Sequence, residues 1–333
     1  MDVLYRGGVY IPQYDLHLDP HSTRPVAFVT HAHADHMKRH GHVYASPATA
    51  AMMRARGATK TRFRTLAWGE QVAWNGAAVS LYPAGHVLGS SQILVEGRDG
   101  KRLLYSGDFK LRESRSSEPI EVPRADIVVM ETTFGRPRYE FPSLDTVLEE
   151  VCSWCHTTLE QGNTPVLFCY SLGKGQELLA GLNDCGFPIS VHNAHAKICS
   201  VYSQHGVSFA PFNVFEEGGR VEGALLCSKQ CVRSKWWREL DSTHSLRCAN
   251  VSGWALDGRL RRDAGQGFPL SDHAGYSDLM EYVRLSGACK VWTTHGFDAE
   301  FAADLRGIGL DAAPLSSAKK SVANDQLSLF SGF

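Results

Sequence analysis

Val26-Ala27-Phe28-Val29-Thr30-His31-Ala32-His33-Ala34-Asp35-His36 decides how this chain is read. Val26 to Thr30 is apolar and β-branched, which predicts a buried strand. Four metal-ligating side chains then follow within six residues, His31, His33, Asp35 and His36. Imidazole and carboxylate together suit zinc or manganese. His31 and His33, two apart on an extended turn, can point to one metal, and Asp35 and His36 can serve a second. A histidine-rich surface turn is the alternative, but four ligand types at strand-end spacing argue against it.

Two metals need further ligands from distant loops. His86 lies in Ala84-Gly85-His86-Val87-Leu88-Gly89-Ser90, Asp108 in Ser106-Gly107-Asp108-Phe109, and His295 in Thr294-His295-Gly296. Each follows a predicted strand, and a loop at a strand end is held by a rigid sheet. Ile127-Val128-Val129-Met130 is a fully apolar strand, covered on both faces, that ends at Glu131. From Ser143 the pattern changes. Leu144 to Glu160 predicts a helix, Pro165 to Tyr170 a strand and Lys174 to Leu182 a helix. The early style returns with Ala249 to Ser252. One domain is therefore interrupted by another: 1–142 and 249–315 as the two parts of the first, 143–248 as the insertion, and 316–333 as a mobile Ser-, Ala- and Lys-rich tail.

In order and context these residues resemble the metallo-β-lactamase superfamily. The resemblance implies an α/β fold, an αββα sandwich. It places Asp19, in His17-Leu18-Asp19-Pro20, behind the ligands. It assigns His31, His33 and His86 to one metal, Asp35, His36 and His295 to the other, and Asp108 to both. Two divalent cations roughly 3.5–4 Å apart lower the pKa of a shared water and stabilise charge on a leaving oxygen. Met130-Glu131-Thr132-Thr133-Phe134-Gly135, Leu270-Ser271-Asp272-His273-Ala274-Gly275-Tyr276 and His295 resemble motifs A, B and C of the β-CASP nucleases. The insertion then corresponds to an α/β β-CASP domain, and the catalytic residues carried over are Asp35, Glu131 and His273. In that family the motif B histidine, oriented by the motif A carboxylate, acts as general acid; a structural hydrogen-bonded pair is the other reading.

Tyr170-Ser171-Leu172-Gly173-Lys174-Gly175-Gln176, Val251-Ser252-Gly253-Trp254 and Gly267-Phe268-Pro269-Leu270-Ser271-Asp272-His273 resemble the bacterial ligase-associated DNA damage response exonucleases, over about Leu4 to Pro314. This implies a two-metal-ion DNA exonuclease in repair and end processing, linked to an ATP-dependent DNA ligase and a helicase. Zinc is the expected metal and manganese the alternative. At motif C the crosslink-repair nucleases tend to carry Val and RNA-processing relatives His. His295 therefore keeps a β-CASP ribonuclease as an alternative. A weakly catalytic, clamp-tethered DNA-end-binding module is a third reading. Polarity and 5′-end requirement stay open.

Backbone phosphates attract Lys, Arg and amide donors. Lys110, Arg112 and Arg136 lie near the ligand loops. Ser171 and Lys174 stand at a helix start, Ser252 and Trp254 before the cluster Arg259, Arg261 and Arg262, and Trp254 can stack on a base. Near the end, Gln326-Leu327-Ser328-Leu329-Phe330 resembles the pentapeptide by which bacterial repair proteins dock on the DNA sliding clamp, with Gln326, Leu327, Leu329 and Phe330 as the contacts.

Bulk properties agree. Hydrophobic residues make up 43% of 333, enough for a core. The net charge is -1, so nucleic-acid binding must come from a local basic patch. No apolar run reaches the roughly 18–20 residues of a membrane span, and Met1 to Tyr10 lacks a signal-peptide pattern. A cytoplasmic protein is expected. Its nine cysteines, Cys152 and Cys155 among them, are then reduced thiols. A zinc ribbon lacks its second pair at the usual spacing.

Overall fold

Neighbouring residues of the strand Ile127–Glu131 serve two different cores. Ile127 and Val129 join one buried cluster, Val128 and Met130 another. The same alternation sends Ile93 and Val95 to the first and Leu94 to the second, as the pleat of a doubly covered strand demands. The computed structural model describes residues 1–257 and 265–318. In chain order its first strands are β1 (Leu4–Tyr5), β2 (Val9–Ile11), β3 (Leu16–Leu18), β4 (Val26–Phe28) and β5 (His42–Ala45). Helix α1 (Pro47–Ala55) precedes β6 (Arg62–Thr65), β7 (Gln71–Trp74), β8 (Ala77–Pro83), β9 (Ser91–Glu96), β10 (Arg102–Tyr105) and β11 (Ile127–Glu131). Then come α2 (Leu144–Glu160), β12 (Thr164–Phe168), α3 (Lys174–Gly181), β13 (Ile189–His192), α4 (Asn193–Gln204), β14 (Asn213–Phe215), β15 (Ala224–Cys227) and α5 (Lys235–Thr243). The last are β16 (Leu246–Val251), β17 (Gln266–Phe268), α6 (Tyr276–Ser286), β18 (Lys290–Thr294), α7 (Asp298–Gly307) and β19 (Asp311–Pro314).

Two compact units divide these elements. The first holds Met1–Arg112, Glu118–Glu140 and the chain from His273. One of its sheets runs β1 to β6 in order, the other β19-β18-β11-β10-β9-β8-β7. The cluster of Ile11, Leu18, Phe28, Val79, Ile93 and Val129 fills the space between the sheets. Leu279, Tyr282, Phe301 and Leu305 of α6 and α7 cover the outer face of the second sheet. Helix α1 carries buried Met52 and Met53 and touches β6 of the first sheet. This is the expected αββα sandwich. Its last turn differs from expectation: Ala318 packs into the inter-sheet core beside Leu315 instead of belonging to a mobile tail.

The second unit holds Glu113–Ser117 and Phe141–Asp272. Its sheet is wholly parallel, in the order β14-β13-β15-β12-β16-β17. The expected boundary at residue 249 is corrected here. Ala249 pairs with Leu167 and with Gln266, so β16 and β17 complete this sheet and the unit runs on to Asp272. The cysteine reading also changes. Cys155 is a buried free thiol, but Cys152 of α2 is joined to Cys185 as a disulfide, because the loop after α3 brings their Cα atoms to 5.9 Å. No helix among the described residues is long and apolar enough to cross a membrane.

Candidate metal centre

Strand β4 ends at Phe28, and the chain passes through Val29 and Thr30 into the ligand loop. Three ring nitrogens converge there. His33 Nδ1 lies 3.0 Å from both His31 Nε2 and His86 Nε2. Asp108 Oδ2 stands 3.6 Å from His31 Nε2 and 3.8 Å from His86 Nε2. Four donors around a tetrahedral metal at about 2.0–2.1 Å are separated by roughly 3.4 Å, which these spacings bracket. Burial, reinforced by the neighbouring His36, holds His31 well below the ordinary histidine range, so it presents a neutral lone pair as ligation requires. The donor set fits a divalent cation.

His36 enters from the other side of Asp108, with Nε2 3.5 Å from the same Oδ2. Burial pushes its pKa down, but the Asp108 and Asp19 carboxylates outweigh burial and hold it well above the ordinary range. Asp35 is placed differently. Its side chain is 73% exposed and its Oδ2 lies 3.8 Å from His36 Nε2. His295 is exposed, at a left-handed φ of 60°, and its ring centroid lies 5.9 Å from that of His36. The structure thus gathers His31, His33, His86 and Asp108 tightly, and His36, Asp35 and His295 more loosely around the far side of Asp108.

Asp19 sits behind the ligands in a left-handed backbone conformation (φ 45°). Its Oδ1 accepts from the Thr30 amide at 2.8 Å, and its Oδ2 from Thr30 Oγ1 at 2.6 Å and Tyr105 OH at 3.1 Å. Oδ2 also meets His36 Nδ1 at 2.7 Å, which fixes the ring with Nε2 facing Asp108. Thr30 and Tyr105 were not singled out from sequence; the position of Thr30, directly before His31, was the available signal.

Glu131, buried at the end of β11, faces His273. The Nδ1 of His273 lies 2.8 and 2.9 Å from the two carboxylate oxygens. Glu131 Oε1 also accepts the Phe109 amide at 2.9 Å, and Oε2 accepts Thr133 Oγ1. Asp108, Glu131 and His273 present oxygen and nitrogen atoms within 4.8 Å of one another.

The expected phosphate contacts fare unevenly. Lys174, 6% exposed, donates from Nζ to Asp272 Oδ2 at 2.7 Å, so its charge is taken inside the second unit and not offered to a phosphate. Arg112 is paired with Asp278 and Arg136 with Glu300. Ser252 and Trp254 line a cavity of about 250 Å³ beyond the C-terminal ends of β12, β15 and β16, beside exposed Tyr170. Such crevices in parallel sheets are common ligand sites. Ser171 is half-buried at the start of α3. Arg259 and the pentapeptide Gln326, Leu327, Leu329 and Phe330 lie outside the described residues.

A model of a beta-lactamase superfamily domain matches residues 13–164. The chain is 42% identical over 315 residues, 93% of its length, to a protein of Opitutus terrae named "Probable DNA ligase". It is 28% identical over 295 residues to the DNA cross-link repair protein SNM1 of Arabidopsis thaliana, and 32% over 137 residues to RNase aCSPSF2 of Saccharolobus solfataricus. It spans 31%, 60% and 27% of those three relatives. A crystal structure of a protein of unknown function from Enterococcus faecalis shares the fold, with a TM-score of 0.57 at 12% identity over 83% of this chain and 76% of that one.

Proposed function

We propose, for a chain that belongs to the metallo-β-lactamase superfamily and its β-CASP nuclease family, a two-metal-ion phosphodiesterase that trims DNA ends as an exonuclease. The observation that carries this reading is the Glu131–His273 pair beside Asp108. A site that only bound metal or DNA ends would have no use for a carboxylate-oriented imidazole next to its ligands. A phosphodiesterase needs one, because the departing sugar oxygen must be protonated.

Metal ions would be held by His31, His33, His86 and Asp108, and by Asp108, His36, Asp35 and His295. When bound they supply an activated water and neutralise charge developing on the phosphate. Imidazole-rich ligation favours zinc, with manganese as the alternative. The protein's own residues do the rest. Glu131 engages Nδ1 of His273, so delivery of a proton to the leaving oxygen falls to Nε2. Phe109 and Thr133 hold the Glu131 carboxylate in place. Asp19 keeps His36 turned toward Asp108.

DNA is favoured over RNA by the clamp-like pentapeptide and by the names of two relatives. The proposed partners are a DNA end, the sliding clamp, and functionally an ATP-dependent ligase and a helicase, in the cytoplasm. His295 and the relative named RNase aCSPSF2 support the ribonuclease reading. Purified protein with zinc or manganese, given end-labelled DNA and RNA with 5′-phosphate or 5′-hydroxyl, tests both. Stepwise shortening of DNA at least tenfold faster than RNA is expected. The opposite preference would replace this reading with the ribonuclease. End binding without hydrolysis would replace it with the binding module.

A further inference from the structure

Residues 36 to 69 contain seven Lys and Arg and no Asp or Glu, while the rest of the chain has 27 Lys and Arg against 35 Asp and Glu. The folded first unit brings most of this charge to one place. Arg54 and Arg56 end α1, Lys60 lies in the following turn, and Arg62 and Arg64 stand on β6, the edge strand of the first sheet. All five are exposed. Arg54, Lys60, Arg62 and Arg64 take part in no ion pair found among the described residues. Rings hold two of them in place of carboxylates. The Arg54 guanidinium lies 4.6 Å from the Phe63 ring centre, and that of Arg64 lies 5.6 Å from the Tyr44 ring centre. A stacked guanidinium is positioned but keeps its charge and its donors.

The same basic stretch of sequence begins in the ligand loop, where Lys38 Nζ donates to Ala34 O at 3.0 Å. Charge on an edge strand also deters strand pairing, but a lysine or two suffices for that. A cluster of this density, on a chain of net charge -1, exceeds what edge protection needs.

We infer that the strip from Arg54 to Arg64 is a docking surface for the phosphate backbone of a nucleic acid, which it holds at a distance from the metal centre. The inference rests on the nuclease reading and names how that reading's substrate is gripped. It supplies the local basic patch that the near-neutral net charge requires. The contacts are charge-based, so the surface is blind to base sequence and strongly salt-dependent.

The test compares the full chain with R54Q/R62Q/R64Q and with the charge-keeping R54K/R62K/R64K. Fluorescence anisotropy of a labelled 30-nucleotide single strand is recorded across a salt series. Three lost phosphate contacts should lower the slope of log K against log salt by about 2. KM on the long strand should rise at least tenfold, and turnover of bis(p-nitrophenyl) phosphate should not change. The lysine variant should restore the slope. An unchanged slope and KM in the glutamine variant, with wild type cleaving normally, overturns the docking surface and leaves the nuclease reading standing. Binding to phosphatidylglycerol vesicles that the glutamine variant loses, with its oligonucleotide slope unchanged, overturns it in favour of a membrane surface. A wild-type protein that hydrolyses neither substrate and binds no strand overturns the nuclease reading and this inference with it.

Discussion

The Nδ1 atom of His273 sits almost equidistant from the two oxygens of Glu131, at 2.8 and 2.9 Å. A buried carboxylate that also accepts a backbone amide cannot turn away, so the imidazole has one orientation. Both an acid catalyst and a structural pair would be held this way, and mutation separates them. Replacing His273 by Ala should slow DNA hydrolysis by roughly 10²–10⁴-fold, the usual span for general acid catalysis. The loss should be far smaller on thymidine 5′-(p-nitrophenyl phosphate), whose leaving group departs without a proton. Glu131→Gln should show the same contrast in weaker form. Equal losses on both substrates would assign the pair a structural role.

Asp19 is the second residue whose removal is informative. It binds nothing in the reaction, yet it orients His36 and is itself anchored by Thr30 and Tyr105. Asp19→Asn keeps the shape and removes the charge. Metal affinity should fall by roughly 10–100-fold, as for other residues that orient a ligand. Titration calorimetry should place most of that loss on one of two binding events, because Asp19 meets His36 directly and His31 only by way of Thr30 Oγ1. A uniform loss over both events would contradict the division of ligands.

The clamp reading makes a prediction of its own. Removing the last eight residues, from Gln326, should abolish retention on immobilised sliding clamp and leave hydrolysis of short oligonucleotides intact. The pentapeptide contributes a polar anchor and two apolar side chains on a tether, and none of the metal ligands lies in it. Retention that survives the truncation sinks the idea.

Much of the candidate metal centre was legible because the residues that could hold a metal sit at strand ends, and apolar runs such as Val26–Thr30 and Ile127–Met130 announce both the strand and its stop. Pairing was harder to read. Ala249 to Val251 looks like those strands, but a buried parallel strand has the same composition whichever sheet it joins. That is why the boundary fell at 249 instead of after Asp272. Lys174 looked like a phosphate contact because its partner Asp272 stands 98 residues away, and no local pattern announces so distant an ion pair. Cys152 and Cys185 are separated by 33 residues, with the same consequence. Asp19 was recognised through a motif, and its anchors were not, because Tyr105 meets it only after the two sheets pack.

His195 gives the second unit a measurable acid sensitivity. The ring is 1% exposed, its Nε2 lies 3.5 Å from Cys169 Sγ, and its Nδ1 has no hydrogen-bond partner among the described residues. Burial, aided by nearby His192, lowers its pKa from 6.5 to about 4. Between those values the unfolded chain carries a proton that the folded chain refuses. Stability therefore rises with pH across the window, is complete above about 6.5, and is lost as pH falls toward 4. A shift of this size corresponds to about 3 kcal/mol. Urea unfolding followed by the fluorescence of Trp236 and Trp237, which are buried in this unit, should show that decline between pH 7 and pH 4.5. His195→Gln has no group that titrates there, so its unfolding free energy should be flatter across the window. A variant whose decline matches wild type would show that the acid sensitivity resides elsewhere.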